Sequence, residues 1–333
     1  MNIIKTAAAA VAAVALMAGS ALAQQPFTVI ADGSSTVFPF TESAAEAFQG
    51  SVGGRIRVTV GESGTGGGFR KFCRGETHVQ GASRPITASE MATCRAAGIQ
   101  YVEIPVAFDG LSVVVHPSNP VRSITVAELR RIWEPNSTIN NWRQVNPSFP
   151  DLPLVLFGAG TASGTFDYFT EAVNGRARAS RTDYTPTEDD NVTVQGVAGN
   201  PNAMGYFGIA YLEENRSRLR ALAIDNGNGP VLPTAQTVAN GTYAPLSRPI
   251  FIYVNAAALR RPQVMQFAQY IATNAGTHAS RVGYIPLPAS AYQTYLQRVQ
   301  RRQAGTAFNG VQAIGVTIDE VLARPLRVEA ATN

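Results

Sequence analysis

Apolar residues recur along the chain in two patterns. Short runs dense in Val, Ile, Phe and Leu predict strands over residues 27–31, 56–60, 99–106, 111–115, 154–157 and 250–254. Stretches with apolar positions three or four apart predict helices over 37–48, 88–97, 126–132, 166–173 and 262–274, with a further one over 291–302. The alternation of strand and helix predicts an α/β fold, and no fixed-period repeat is visible. Gly, Pro and Asn collect in loops at 116–120, 134–153, 225–233 and 239–249. Two breaks carry more weight than the others: His116-Pro117-Ser118-Asn119-Pro120 ends the run at 111–115, and Ser247-Arg248-Pro249 introduces the run at 250–254. A chain that leaves one lobe near 110–116 and returns near 248 builds a discontinuous first lobe, residues 24–112 with 249–333. The second lobe is then 113–248, and two strands form the connection.

The N-terminus reads as an address. Lys5 precedes an Ala-rich apolar run of about a dozen residues, and Ala21-Leu22-Ala23 supplies a small-residue cleavage site. The run is shorter than the roughly 20 residues a membrane span needs. Residues 1–23 are therefore expected to be a cleavable signal peptide, with the mature chain beginning at Gln24 and exported.

Composition narrows the function classes. The chain has 333 residues, 45% of them hydrophobic and 15% charged, which is ordinary for a globular protein of about two domains. Its formal charge is +4, and apart from Lys5 and Lys71 every basic residue is an arginine. The arginines are scattered; Arg298, Arg301 and Arg302 read as a solvated helix face, and no basic stripe with interleaved aromatics marks a nucleic-acid partner. Cys73 and Cys94 are the only cysteines. In an exported protein they are expected to form a disulfide, closing a loop of about 20 residues for roughly 3 kcal/mol on the chain-entropy estimate.

Three segments share one chemistry. Gly33-Ser34-Ser35-Thr36, Ser63-Gly64-Thr65-Gly66-Gly67 and Ser163-Gly164-Thr165 each place small hydroxyl and glycine residues ahead of a helix. Helix N-termini present free N–H groups and a partial positive charge, glycine admits a ligand close to the backbone, and hydroxyls add donors. Converging on one cleft, such ends form a cage for a small tetrahedral oxyanion. Arg84, in Ser83-Arg84-Pro85-Ile86, is the expected cation, its planar fork suited to two oxygens of the anion.

Enzymatic alternatives lack their parts. The three histidines, His78, His116 and His278, all follow Gly61-Glu62-Ser63-Gly64, against the chymotrypsin order, and no G-x-S-x-G elbow occurs. No P-loop is present, and Gly158-Ala159-Gly160-Thr161-Ala162-Ser163-Gly164 has the wrong spacing for a dinucleotide fingerprint. No metal site is expected from two cysteines and scattered histidines. Asp189-Asp190-Asn191 lacks the other ligands of a calcium loop and reads as a surface turn.

In order, Asp32-Gly33-Ser34-Ser35-Thr36-Val37-Phe38-Pro39, Ser63-Gly64-Thr65-Gly66-Gly67-Gly68-Phe69, Ala82-Ser83-Arg84-Pro85-Ile86, Ser163-Gly164-Thr165-Phe166-Asp167-Tyr168-Phe169 and Ala203-Met204-Gly205-Tyr206-Phe207-Gly208 span most of the chain. This set resembles the periplasmic phosphate-binding protein of the high-affinity phosphate ABC transporter. The resemblance implies a two-lobe periplasmic binding protein of type II-like form, each lobe a central sheet flanked by helices, joined by hinge strands. It implies inorganic phosphate held in the interlobe cleft, no enzymatic activity and no cofactor. It also implies a pair of membrane permease subunits with a cytoplasmic ATPase as partners, and a monomer. The phosphate-binding positions that carry over are Ser35, Thr36 and Val37; Ser63, Gly64 and Thr65; and Ser163, Gly164 and Thr165. Arg84 stands where the best-known members have an aspartate that accepts the phosphate proton, and Gly158-Ala159-Gly160 stands where they have an arginine. The competing class is an exported phosphatase using a hydroxyl of the same loops.

Overall fold

A computed structural model describes residues 27–327; the leader expected over residues 1–23 lies outside them. Eight strands form the main path of one sheet. In chain order with the principal helices they are β1 (Phe27–Gly33), α1 (Phe38–Ser51), β2 (Ile56–Val60), α2 (Thr65–Phe72), β3 (Val79–Ala82), α3 (Ala88–Ala96) and β4 (Tyr101–Val115). There follow α4 (Val126–Trp133), β5 (Val155–Ala159), α5 (Gly164–Asn174), β6 (Thr185–Thr187), α6 (Asp190–Ala198), β7 (Ala203–Gly208), α7 (Ile209–Glu214), β8 (Ser247–Asn255), α8 (Pro262–Arg281) and α9 (Ala289–Gln300). The strand order is β2-β1-β3-β8-β4-β7-β5-β6.

β4 links the two ends of this sheet. Its first ten residues, Val106 excepted at a bulge, pair antiparallel with β8, from Tyr101 opposite Asn255 to Gly110 opposite Ser247. Its last five pair with β7, beginning with Leu111 opposite Gly208. Beyond β8 lie the parallel strands β3, β1 and β2; beyond β7 lie the parallel strands β5 and β6. Every residue of β4 and β8 is buried, as expected of strands covered on both faces.

The runs at 99–106 and 111–115 therefore belong to one continuous strand. Asp109 and Gly110 look like a turn signal between them, yet the backbone stays extended. Asp109 is held by Arg248, its register partner on β8, and Gly110 is the close-approach point where a Cβ would lie 2.8 Å from Val238 Cγ2. Helices α1, α3, α4, α5, α8 and α9 fall where the apolar periodicity put them, within a few residues except at the C-terminal end of α8. β3, β6, β7, α6 and α7 have no counterpart among the predicted elements, being short, glycine-rich or polar at their starts, whereas α2 is the helix expected after the second glycine segment. The sulfurs of Cys73, at the end of α2, and Cys94, on α3, are bonded.

Candidate functional site

The three glycine and hydroxyl segments meet at the junction of the two ends of the sheet. The Thr36 and Thr165 hydroxyls lie 2.9 Å apart although 129 residues separate them in sequence. Gly66 donates its N–H to the Ala162 carbonyl at 2.8 Å, a backbone bond across the seam. A Cβ on Gly164 would fall 2.4 Å from Thr65 Oγ1 and 2.7 Å from Ser83 Oγ, so only glycine fits there. Gly64 holds φ at +72°, and a Cβ would meet the Ala162 carbonyl oxygen at 2.7 Å. Tyr211 donates to the Ser35 carbonyl, and Tyr284 to the Thr36 carbonyl, which fixes the first loop.

The helix ends differ in how they are capped. Ser163 caps α5 by accepting the Thr165 N–H. α1 and α2 begin at Val37 and Gly64 with no side-chain cap. The hydroxyls of Ser34 and Ser35 are buried without a close hydrogen-bond partner. Thr65 Oγ1 is shared with Ser83, whose N–H and hydroxyl both reach it at 3.2 Å. Ser63 turns elsewhere: its hydroxyl donates to Asp32 and accepts from Lys71. Of the expected set, Ser35, Thr36, Thr65, Gly164 and Thr165 come together. Val37 joins through its backbone at the start of α1, Ser163 serves as the α5 cap, and the Ser63 side chain is directed into the Asp32–Lys71 pair.

Two arginines flank these loops. Arg84 is almost fully buried. Its Nη1 and Nη2 donate to the two carboxylate oxygens of Glu90, each at 2.8 Å, and its Nε donates to Asp167 on α5, also at 2.8 Å. A further bond runs from Nη1 to the Pro85 carbonyl. Burial pulls this guanidinium down, but Glu90 and Asp167 outweigh it and hold the group above its ordinary value.

Arg248, on β8, was not among the expected residues. It is fully buried and packs over the Tyr168 ring at 5.5 Å. Its Nε and Nη2 donate to Asp109, and Nη2 also reaches the hydroxyls of Thr36 at 3.1 Å and Thr165 at 2.9 Å. Its Nη1 is buried with no partner. Asp109 in turn accepts the Ile209 N–H at the start of α7. Asp109 had a signal in the sequence, a lone charge between two apolar runs that must find a partner when buried; Arg248, in the break before a third run, had a weaker one.

Asp190 corrects a second expectation. It does not lie in a surface turn: Asp189 caps α6 from the exposed side, while Asp190, the first residue of the helix, is 1% exposed. Its Oδ2 has no close partner, although the Ser35 hydroxyl lies near enough to offset part of the cost of burial. Burial first, and then the charge of Glu62, push this carboxyl well above its usual range. An orphan guanidinium nitrogen, buried hydroxyls and a buried carboxylate oxygen that lacks a donor together suit a small oxyanion that carries a hydrogen.

Residues 18–275 match a family model described as a PBP superfamily domain, which sets the chain among two-lobe binding proteins. The chain is 50% identical to Protein SphX of Synechococcus elongatus over 88% of each sequence. It is 34% identical to the phosphate-binding protein PstS of Staphylococcus epidermidis over 80% of each. A crystal structure of a possible phosphate binding protein from Planctomyces limnophilus superposes with a TM-score of 0.62 at 48% identity, covering 83% of this chain and 99% of that one. This chain belongs to the PstS family of phosphate-binding proteins, which are solute-binding proteins and not enzymes.

Proposed function

We propose that this protein captures inorganic phosphate in the cleft between its lobes and delivers it to an ABC importer. The observation that carries the reading is Arg248, whose Nη2 reaches the hydroxyls of Thr36 and Thr165 while Nη1, on the same guanidinium, is a buried donor without a partner. A phosphate there would accept from Arg248, from the hydroxyls of Ser35, Thr36, Thr65 and Thr165, and from the backbone N–H groups around Val37, Gly64 and Gly164. Asp190 would accept a hydrogen from a protonated phosphate oxygen, a bond that sulfate does not offer near neutrality. Arg84 has a single N–H beyond those already used, so its contribution to the anion is small beside its ties to Glu90 and Asp167. Ser63 and Ser163 act by shaping their loops.

The lobes in this reading are residues 24–112 with 249–333, and 113–248, with β4 and β8 as the hinge. Neither lobe alone has the donors to strip a phosphate of water, so the ligand favours the closed arrangement by its differential affinity for it. The protein acts as a monomer, is exported by a leader over residues 1–23, and hands phosphate to a permease pair driven by a cytoplasmic ATPase. Among the described residues no helix is long and apolar enough to cross a membrane.

Calorimetric titration of ligand-stripped protein with phosphate, arsenate and sulfate tests the reading. Micromolar or tighter binding of phosphate and arsenate, with sulfate far weaker and no turnover of a phosphate ester, is the expected result. Absence of phosphate binding, or metal-stimulated ester hydrolysis, overturns it.

A further inference from the structure

At one edge of the seam Glu62 of one half stands near Glu188 and Asp189 of the other, and the charges that act on Glu62 are all carboxylates. Glu188, just beyond β6, places Oε1 on the Ala162 N–H at 3.0 Å. Its Oε2 is buried without a partner and faces the opposite half, where a Cβ on Gly64 would lie 2.7 Å from it. Two residues before Gly64, Glu62 is in the same condition: half-buried, with Oε1 fully buried and no donor to it. Among the described residues no salt bridge reaches Glu62, and the charges acting on it are Asp189 and Glu188 from across the seam and Glu42 from α1. Asp190 and Tyr211, both affected in turn by Glu62, complete its titratable surroundings. Around Glu188 stand Asp167, Arg70 and Arg178, with Tyr184 and Tyr206 beside it.

We propose that Glu62 is a proton-operated latch: closing the cleft takes up a proton at Glu62, and opening returns it. The proposal rests on the reading of the cleft as a phosphate site that opens and closes. In the closed protein, burial and then the charges of Asp189, Glu188 and Glu42 raise the Glu62 carboxyl to about 7. Separating the halves removes the burial and two of those three charges, which returns Glu62 toward the ordinary carboxylate range. A group held higher in the closed form binds its proton more tightly there. Its contribution to closure is complete below the ordinary range and disappears as pH rises through about 7. Between pH 8 and pH 6 this one group makes closure about tenfold more favourable.

Phosphate itself titrates in this window, so the test compares proteins facing the same ligand. Calorimetry of phosphate binding to wild type and Glu62→Gln, in two buffers of different ionisation heat, counts the protons exchanged. At pH 6 the wild type should take up about one proton more than Glu62→Gln, and its ratio of Kd at pH 8 to Kd at pH 6 should be about tenfold larger. Asp189→Asn keeps a helix-capping side chain and removes one repelling charge, so its proton uptake should cross over at lower pH than in wild type. Equal proton counts and equal ratios in wild type and Glu62→Gln, or an Asp189→Asn crossover that does not move, overturn the latch alone. A wild type that binds no phosphate at either pH overturns the reading of the cleft itself.

Discussion

Arg84 and Arg248 are both buried at the seam, and both are held by carboxylates, yet their chemistry differs. Arg84 is nearly saturated: Glu90 takes its fork, Asp167 takes Nε and Pro85 takes one more N–H. Arg248 is tied at one side by Asp109, touches a hydroxyl from each half, and keeps Nη1 unpartnered. A buried arginine is thus defined less by its charge than by the donors it has left. Arg84 joins α3 to α5 across the seam; Arg248 reaches the converging hydroxyls through Nη2 and keeps a further donor, Nη1, open on the same guanidinium.

The largest expected effect follows from removing that open donor. Arg248→Met combined with Asp109→Asn removes the pair without stranding a buried charge, and phosphate binding should weaken at least a hundredfold, about 3 kcal/mol, in titration calorimetry. Arg248→Ala alone should also cost about 3–5 kcal/mol of folding stability, read from denaturant unfolding, because Asp109 is left buried without its partner. Gly64→Ala comes next. It forces a side chain onto a backbone at φ +72° and against the Ala162 carbonyl, so affinity should drop roughly thirtyfold, about 2 kcal/mol. Arg84→Ala should weaken binding only about tenfold, acting through closure, while lowering stability more than affinity as Glu90 and Asp167 lose their partner. The smallest effect belongs to the pair remote from this comparison: replacing Cys73 and Cys94 by serine should leave phosphate affinity unchanged and cost up to about 3 kcal/mol of stability. An Arg84→Ala loss equal to that of the Arg248 double variant would erase the contrast between the two arginines.

The same contrast explains what the sequence made legible. Ser35, Thr36, Thr65, Gly164 and Thr165 lie in loops with a local signature, small residues before an amphipathic helix, and they could be picked out without knowing where the chain folds. Arg84 shared that visibility because it follows small residues at the end of a strand. Asp109 sits between two apolar runs and Arg248 in the break before a third, and their partnership is a matter of register between β4 and β8, which no local pattern specifies. Asp190 was misread because one residue decides its fate: the neighbouring Asp189 takes the exposed cap position and Asp190 turns inward. The long strand β4 was read as two for a similar reason, since Asp109 and Gly110 are turn-forming residues until Arg248 is placed beside them.

The most direct measurement is a crystal structure of the protein saturated with phosphate. Two phosphate oxygens should lie within hydrogen-bond reach of Arg248 and of the Ser35, Thr36 and Thr165 hydroxyls, with the phosphate hydrogen directed at Asp190 and Arg84 still bound to Glu90 and Asp167. A phosphate held by the Arg84 fork, with Glu90 displaced and Arg248 Nη1 not contacting the anion, would contradict the account.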